Sequence, residues 1–433
     1  MKLLFWKTLF DFSKPERVFD AVLRSSFINL LARGFGYLKN LAIAILLGFS
    51  YQTDAFFMAL SLLGVFMIFV DVFDSIGVPN LVSARLKSQE EFEKLAGLLL
   101  TFTTILACSL ALLAIVFFPV LLKVPFGFKK EAIYYTKESY LLLLPYLFFS
   151  FFFHHFGAIL RSLRRFTIYF MGEFIFSFFS FVFMAIGLYF FRDYRVLPIS
   201  FSLSQFLATL YMVYTAREHI KFKFYMDENV RLLLKHFFYL TGIYGVFHLY
   251  ILVDRAFGSL LGEKGVSALT YGLLLAHAPK GVIKFEHMAI TSLSEVGGAL
   301  YKLNFYIKKL LLISTAFTFF FVLFSDLLVD LFFGHGAFTK TDVHLTATAT
   351  RFYALSLPFA FLWPVLYRVF QIQNRLKPIF LVAILGVLAN AMFNYLFVVK
   401  LGLGIIGICL GTFLAYLVIC LVSYIIIWKF KNG

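Results

Sequence analysis

The chain has 433 residues, 61% of them hydrophobic and only 14% charged, with Lys and Arg outnumbering Asp and Glu for a net charge of +16. A water-soluble domain carries roughly a quarter of its residues charged, so this composition, with 61 Phe, excludes a soluble globular protein and names the bilayer as solvent. The basic excess then reflects topology, because Lys and Arg collect on the cytoplasmic side of membrane proteins, and it implies no nucleic-acid partner.

In chain order, residues 1–24 read as a cytoplasmic or interfacial segment with no cleavage site for a signal peptidase. A helix crossing ~30 Å of hydrocarbon at 1.5 Å per residue needs about 20 apolar residues. That ruler marks twelve segments, at 25–49, 55–82, 95–122, 139–160, 166–191, 196–214, 237–261, 266–293, 310–333, 346–372, 379–399 and 403–428. The expected fold class is an all-α membrane protein of about twelve transmembrane helices. With both termini placed in the cytoplasm, the inward segments hold 24 Lys and Arg against 10 in the outward ones, which supports the even count. Cys108, Cys409 and Cys420 fall in apolar runs with no CxxC pair and read as small core residues.

The two halves repeat. Leu46-Leu47-Gly48 returns as Leu260-Leu261-Gly262, and Leu144-Pro145-Tyr146 returns as Leu357-Pro358-Phe359, at offsets of 214 and 213. Six spans per half make both halves enter the membrane from one side, so the expected organisation is an N-lobe at 25–219, a cytoplasmic linker at 220–236 and a C-lobe at 237–433 around a central cavity.

Charge within the spans marks candidate function, since an ionised side chain at mid-bilayer costs at least ~2.5–3.5 kcal/mol and so faces protein or water. Ser25, Asn29, Arg33, Gly36 and Asn40 share one arc of the first span, with Lys39 beside it, and Asp71 and Asp74 share a face of the second. These four charges either neutralise one another or position a substrate, and the residues alone leave both open. The seventh span carries Asp254 and Arg255; the eighth carries Lys280 and Lys284 at i, i+4, where an anion between them or snorkelling of Lys284 relieves the repulsion. Asn390 and Asn394 at i, i+4 in the eleventh span either offer oxygens to Na⁺ or bond between helices, and Glu173 in the fifth is a candidate proton carrier. No HExxH, GxSxG, Walker A or EF-hand pattern occurs, and adjacent His154 and His155 point to different faces. The expectation is a transporter without enzymatic activity, resident metal or cofactor, driven by Na⁺, H⁺ or the membrane potential.

Arg33-Gly34-Phe35-Gly36-Tyr37-Leu38-Lys39-Asn40, Thr53-Asp54-Ala55-Phe56-Phe57, Pro279-x-Gly281-Val282 and Gly334-His335-Gly336-Ala337-Phe338-Thr339 together resemble the signature of the MurJ lipid II flippases, within the multidrug/oligosaccharidyl-lipid/polysaccharide exporter superfamily. The resemblance covers essentially the whole chain. It implies two six-helix lobes with alternating access, and export of an undecaprenyl-diphosphate-linked peptidoglycan precursor across the bacterial cytoplasmic membrane by a monomer. It assigns diphosphate binding to Arg33 by identity and to Lys39 by charge, with Lys280 and Lys284 partly replacing the family's other cations; from their place in the sequence, Arg255 is a further candidate cation and Asp54, Asp71 and Asp74 are candidate positioning residues. The family's arginines in the second and eighth spans are replaced by Met67 and Leu274, and its usual fourteen spans compare with twelve here. A flippase for another polyprenyl-diphosphate oligosaccharide, a cation-coupled multidrug exporter and a non-transporting membrane scaffold are the alternatives; a basic cavity opposes the export of cationic drugs.

Overall fold

A computed structural model describes residues 18–282, 293, 299–373 and 375–432, with the side chains of 18–26, 71, 73–75, 281–282 and 431–432 excepted. Helices make up the architecture, and no strand occurs among the described residues. They are α1 Val18–Leu46, α2 Tyr51–Lys87, α3 Gln89–Val116, α4 Lys130–Ser162, α5 Phe166–Phe191, α6 Val196–Thr215, α7 Glu228–Gly258, α8 Gly265–Ala276, α9 Leu300–Phe333, α10 Lys340–Ala354, α11 Leu357–Ile372, α12 Leu376–Asn394 and α13 Gly404–Asn432. Among the described residues, nine helices are long and apolar enough to cross a membrane, and the pair α10 and α11 makes a tenth. The polar residues Asn29, Arg33, Lys39 and Asn40 dilute the apolar character of α1, and α8 is a shorter apolar helix, so each of the twelve expected segments has its helix.

Two expected spans are interrupted, both by proline. The tenth is bent by 46° between α10 and α11. Pro358 has no N–H to offer Ala354, and the backbone tightens to Leu355 N–Phe352 O (3.3 Å) and Ser356 N–Tyr353 O (2.9 Å) instead. The eighth stops at Ala276, where His277 N closes onto Leu273 O and a single turn, Ala278–Val282, carries Pro279; its expected remainder to residue 292 lies outside the described residues. Pro145, by contrast, sits inside the unbroken α4. α12 ends in a π-helical turn, Tyr395–Lys400.

The chain forms two compact units. The first takes the described residues of Met1–Leu46, Phe69–Pro119 and Glu138–Phe237. Its core joins Leu81, Phe92, Leu99, Phe153, Ile159, Tyr169 and Met212. Close helix approach is possible because Gly157 faces the Tyr169 ring and Gly172 faces Met212 Sδ, where a Cβ would stand 2.8 Å from either. Hydroxyls of Ser202 and Thr209 donate to Leu142 O (2.6 Å) and Phe149 O (3.1 Å), tying α6 to α4 through groups that have no water to bond in a bilayer. α1 packs along α5, with Phe35 against Phe174 and Phe178.

The second unit takes Leu47–Ile68, Val120–Lys137 and the described residues of Phe238–Gly433. Tyr250, Tyr271, Tyr353, Phe56, Phe333 and Phe370 are among its largest fully buried side chains. α10 packs on α8, α9 and α13, and α12 on α13. Cys409 and Cys420 are buried here, while Cys108, expected in a core, lies on the exposed face of α3.

Candidate functional site

The most concentrated buried polar group in the second unit surrounds Asp254, one turn before the end of α7. Its carboxylate accepts from Thr412 Oγ1 (2.5 Å), Tyr353 OH (2.8 Å), Asn394 Nδ2 (2.9 Å) and Asn390 Nδ2 (3.1 Å), which come from α13, α10 and α12. All five side chains are buried. The two asparagines were expected to act together from their i, i+4 spacing. Asp254, Tyr353 and Thr412 were not assigned to that site; the only signal for them was a carboxylate in an apolar span.

The donors leave oxygens over. Asn390 Oδ1 and Asn394 Oδ1 are buried without a hydrogen-bond partner, a costly state in a low-dielectric interior. Amide rotation exchanges the two ends of each asparagine, which presents both carbonyl oxygens beside the Asp254 carboxylate and the Thr412 hydroxyl. An oxygen-only set with one carboxylate suits a small hard monovalent cation. A transition metal would want His or Cys, and no group of three His, Cys, Asp or Glu side chains forms among the described residues. Gly411 keeps the room open, because a Cβ there would collide with Asn394 Oδ1.

The expected substrate cations lie in both units. Arg33 is exposed on α1. Lys39 is half-buried, and its Nζ lies 4.1 Å from the Phe201 ring centroid and 5.6 Å from that of Phe176. Tyr146 packs on both rings, so an aromatic box holds the ammonium by cation–π attraction. Arg255 in the second unit donates from Nη1 to Phe57 O and to Ser61 Oγ (2.6 Å), and stands over the Phe57 ring. Lys280 lies in the turn after α8, with Nζ 5.6 Å from the Phe247 ring centroid. Lys284 and the side chains of Asp71 and Asp74 lie outside the described residues. Glu173 accepts from Tyr169 OH (2.7 Å), and Arg161 covers the Tyr169 ring at 4.2 Å.

Asp54 is buried at the start of α2 and serves a different helix. Its carboxylate accepts Lys264 N and Ser267 N (both 2.7 Å) and Ser267 Oγ (2.5 Å), supplying the N-terminal cap of α8 from across the fold. Lys264 is held at φ 78°, unusual for a side chain with a Cβ, and its Nζ pairs with Asp342 Oδ1 at 2.9 Å. Asp342 and Thr339 form the capping box of α10. The Gly334–Thr339 loop meets residues 48–49 here: Phe338 packs on Phe49 (4.7 Å between centroids), and a Cβ on Gly48 would sit 2.7 Å from Ala337 O. The Thr53–Phe57 and Gly334–Thr339 motifs, remote in sequence, thus build one cap around the start of α8.

The profile of the family described as Lipid II flippase MurJ matches residues 43–432. The chain belongs to the MurJ family. Among relatives of this MurJ-family chain, a protein of Aquifex aeolicus named "Probable lipid II flippase MurJ" is 24% identical over 399 residues, 90% of this chain and 79% of the relative. One of the same name from Rickettsia prowazekii is 26% identical over 415 residues, covering 90% and 80%. Among solved structures, a lipid II flippase MurJ in an inward closed conformation aligns with a TM-score of 0.77 at 23% identity, over 93% of this chain and 87% of that one. An inward-facing multidrug transporter of the MATE family aligns at 0.69 and 20% identity, over 95% and 99%. At these identities the solved structures speak for the fold, an all-α, multi-pass one of the kind seen in the MurJ and MATE structures.

Proposed function

We propose that this chain flips lipid II outward across the bacterial cytoplasmic membrane. The observation that carries the reading is the MurJ family match from residue 43 to residue 432. The chemistry is consistent with it: a diphosphate leaving water needs charge-assisted hydrogen bonds in exchange, and Arg33 and Lys39 on α1, with Lys280 and Arg255, are the cations on offer. Arg33 has a planar fork of donors that fits phosphate oxygens, and Lys39 is a point charge on a flexible stem. In the reading proposed here the protein acts as a monomer with both termini in the cytoplasm; the excess of Lys and Arg in the inward segments supports that orientation.

Na⁺ is the coupling ion in this proposal, held by Asp254, Asn390, Asn394 and Thr412. Support comes from the two orphaned amide oxygens and from a carboxylate already surrounded by neutral donors. The test is translocation of labelled lipid II by purified protein in liposomes, with and without an inward Na⁺ gradient, beside other polyprenyl-diphosphate sugars. Lipid II movement stimulated by Na⁺ supports both parts. Movement indifferent to Na⁺ removes the coupling proposal, and preference for a different oligosaccharide removes the cargo.

A further inference from the structure

The segment between α6 and α7 is not a loose connection. After the 3-10 turn Arg217–His219, residues 220–227 run without helix along the start of α3, within the first unit. Odd-numbered residues make its contacts with α3, and even-numbered ones are the large apolar side chains left exposed. On the odd side, Lys221 lies 3.8 Å from Glu93 with 59% of its side chain still exposed, Lys223 is exposed beside Gly97, and Tyr225 carries Lys94 over its ring at 4.6 Å. On the even side Phe222, Phe224 and Met226 stand out at 64%, 74% and 50% exposure.

α3 is shaped to receive this strap. Glu93, Gly97 and Thr101 lie at i, i+4, i+8 along one face, ~12 Å of helix. Glu93 binds His219 Nδ1 at 2.8 Å, Gly97 O accepts Lys223 N (3.2 Å), and Thr101 Oγ1 donates to Lys223 O (2.8 Å). A Cβ on Gly97 would be 2.5 Å from Lys221 O, so the seat exists only because that residue is glycine. Asp227 closes the far end by accepting Val230 N (2.8 Å) in the first turn of α7.

We propose that this strap is a lipid-interface anchor: Phe222, Phe224 and Met226 enter the boundary between headgroups and acyl chains, and Lys221 and Lys223 meet phospholipid phosphates. The argument is charge and polarity together. Three large apolar side chains held outward by a built backbone seat would be costly in water. Lysine stems interleaved with them place ammonium groups where phosphates lie, the pattern of interfacial segments. The strap with both its ends, residues 217–227, carries Arg217, Lys221 and Lys223 against Glu218 and Asp227, a net charge of +1 that favours an acidic leaflet. This role is separate from cargo binding and does not depend on it.

The test uses the full chain carrying Phe224→Trp, in bilayers of phosphatidylcholine and phosphatidylglycerol whose acyl chains are brominated either near the glycerol or near the chain end. Emission from Trp6, Trp363 and Trp428 is subtracted with the unsubstituted protein. The expected result is quenching by the shallow bromines above the deep ones. Adding Lys221→Gln and Lys223→Gln should lower interfacial residence by roughly five-fold per lysine. Gly97→Val should lift the strap and reduce quenching, and Thr101→Val, which deletes one bond to it, should do so more mildly in a protein that stays monodisperse. Water-like emission with no quenching by either lipid overturns the proposal and leaves the strap as a surface for a soluble partner. Deep quenching above shallow overturns the interfacial placement, and quenching unchanged by both the Gly97 and Thr101 variants overturns the seat.

Discussion

Asp254 shows how a single buried charge organises a neighbourhood. Four donors converge on it, of which Asn390 Nδ2 also bonds Thr412 Oγ1, and removing the acceptor costs about 1–3 kcal/mol for each buried group left stranded. Asp254→Leu should therefore unfold at clearly lower temperature in detergent. Asp254→Asn should fold better yet lose any stabilisation by Na⁺, since a ligand raises stability only through the state that binds it. Thermal unfolding across a Na⁺ series, with K⁺ as control, checks this; a Na⁺ response surviving in Asp254→Asn would remove the carboxylate from the site. Lys39 offers a second measurement at this scale. Its contact with Phe201 is worth ~0.5–2 kcal/mol for a cation over a desolvated ring, so the cost of Phe201→Leu, which also includes lost packing on Tyr146 and Phe176, should shrink by that order in a Lys39→Met background. Lys39→Arg is expected to retain transport, because a guanidinium keeps the charge and stacks on the same rings.

Helices here are ended and oriented by residues from elsewhere. α8 begins at Lys264 in a left-handed conformation and takes its cap from Asp54 on α2, so Asp54→Ala should cost ~1–2 kcal/mol, near the upper range for a lost N-cap. Ser267→Ala, which keeps the backbone bond to Asp54 and loses only the hydroxyl, should cost less. Chemical or thermal unfolding of the pair, at matched expression, orders the two; a larger effect from Ser267→Ala would deny Asp54 the capping role. Gly48→Ala tests the same region independently. Its φ of 67° and the facing Ala337 carbonyl leave no room for a methyl, and a loss of stability beyond ~1 kcal/mol is expected.

At the scale of the whole molecule, orientation is the property most open to measurement. Single cysteines introduced in a chain lacking Cys108, Cys409 and Cys420 should react with an impermeant maleimide from the cytoplasmic side at position 164 and from the outer side at positions 129 and 340. The reverse pattern would overturn the placement of the termini. Much of this molecule is legible before folding is considered. Bilayer thickness converts directly into chain length, so twelve apolar segments can be marked with a ruler, whereas the breaks near Pro279 and Pro358 were not legible, because a proline such as Pro145 also sits in an unbroken helix. The motifs around Thr53 and Gly334 likewise identify the family.

Partnership was not legible, for a physical reason. Helical periodicity says which residues of one helix share a face, never which other helix that face will meet. Asn390 and Asn394 could be paired on paper because four residues separate them. Their convergence on Asp254, Tyr353 and Thr412 spans up to 158 positions and is decided by packing alone. The same holds for Lys39, read as one of a set of span charges and found in an aromatic box, and for the strap, whose alternation of Lys and Phe acquires meaning only once Gly97 provides a seat. In a bilayer, composition and length select the solvent and the elements, because transfer free energy is additive along the chain. Close-packed contacts and buried hydrogen bonds depend on three-dimensional complementarity, and that only the tertiary structure supplies.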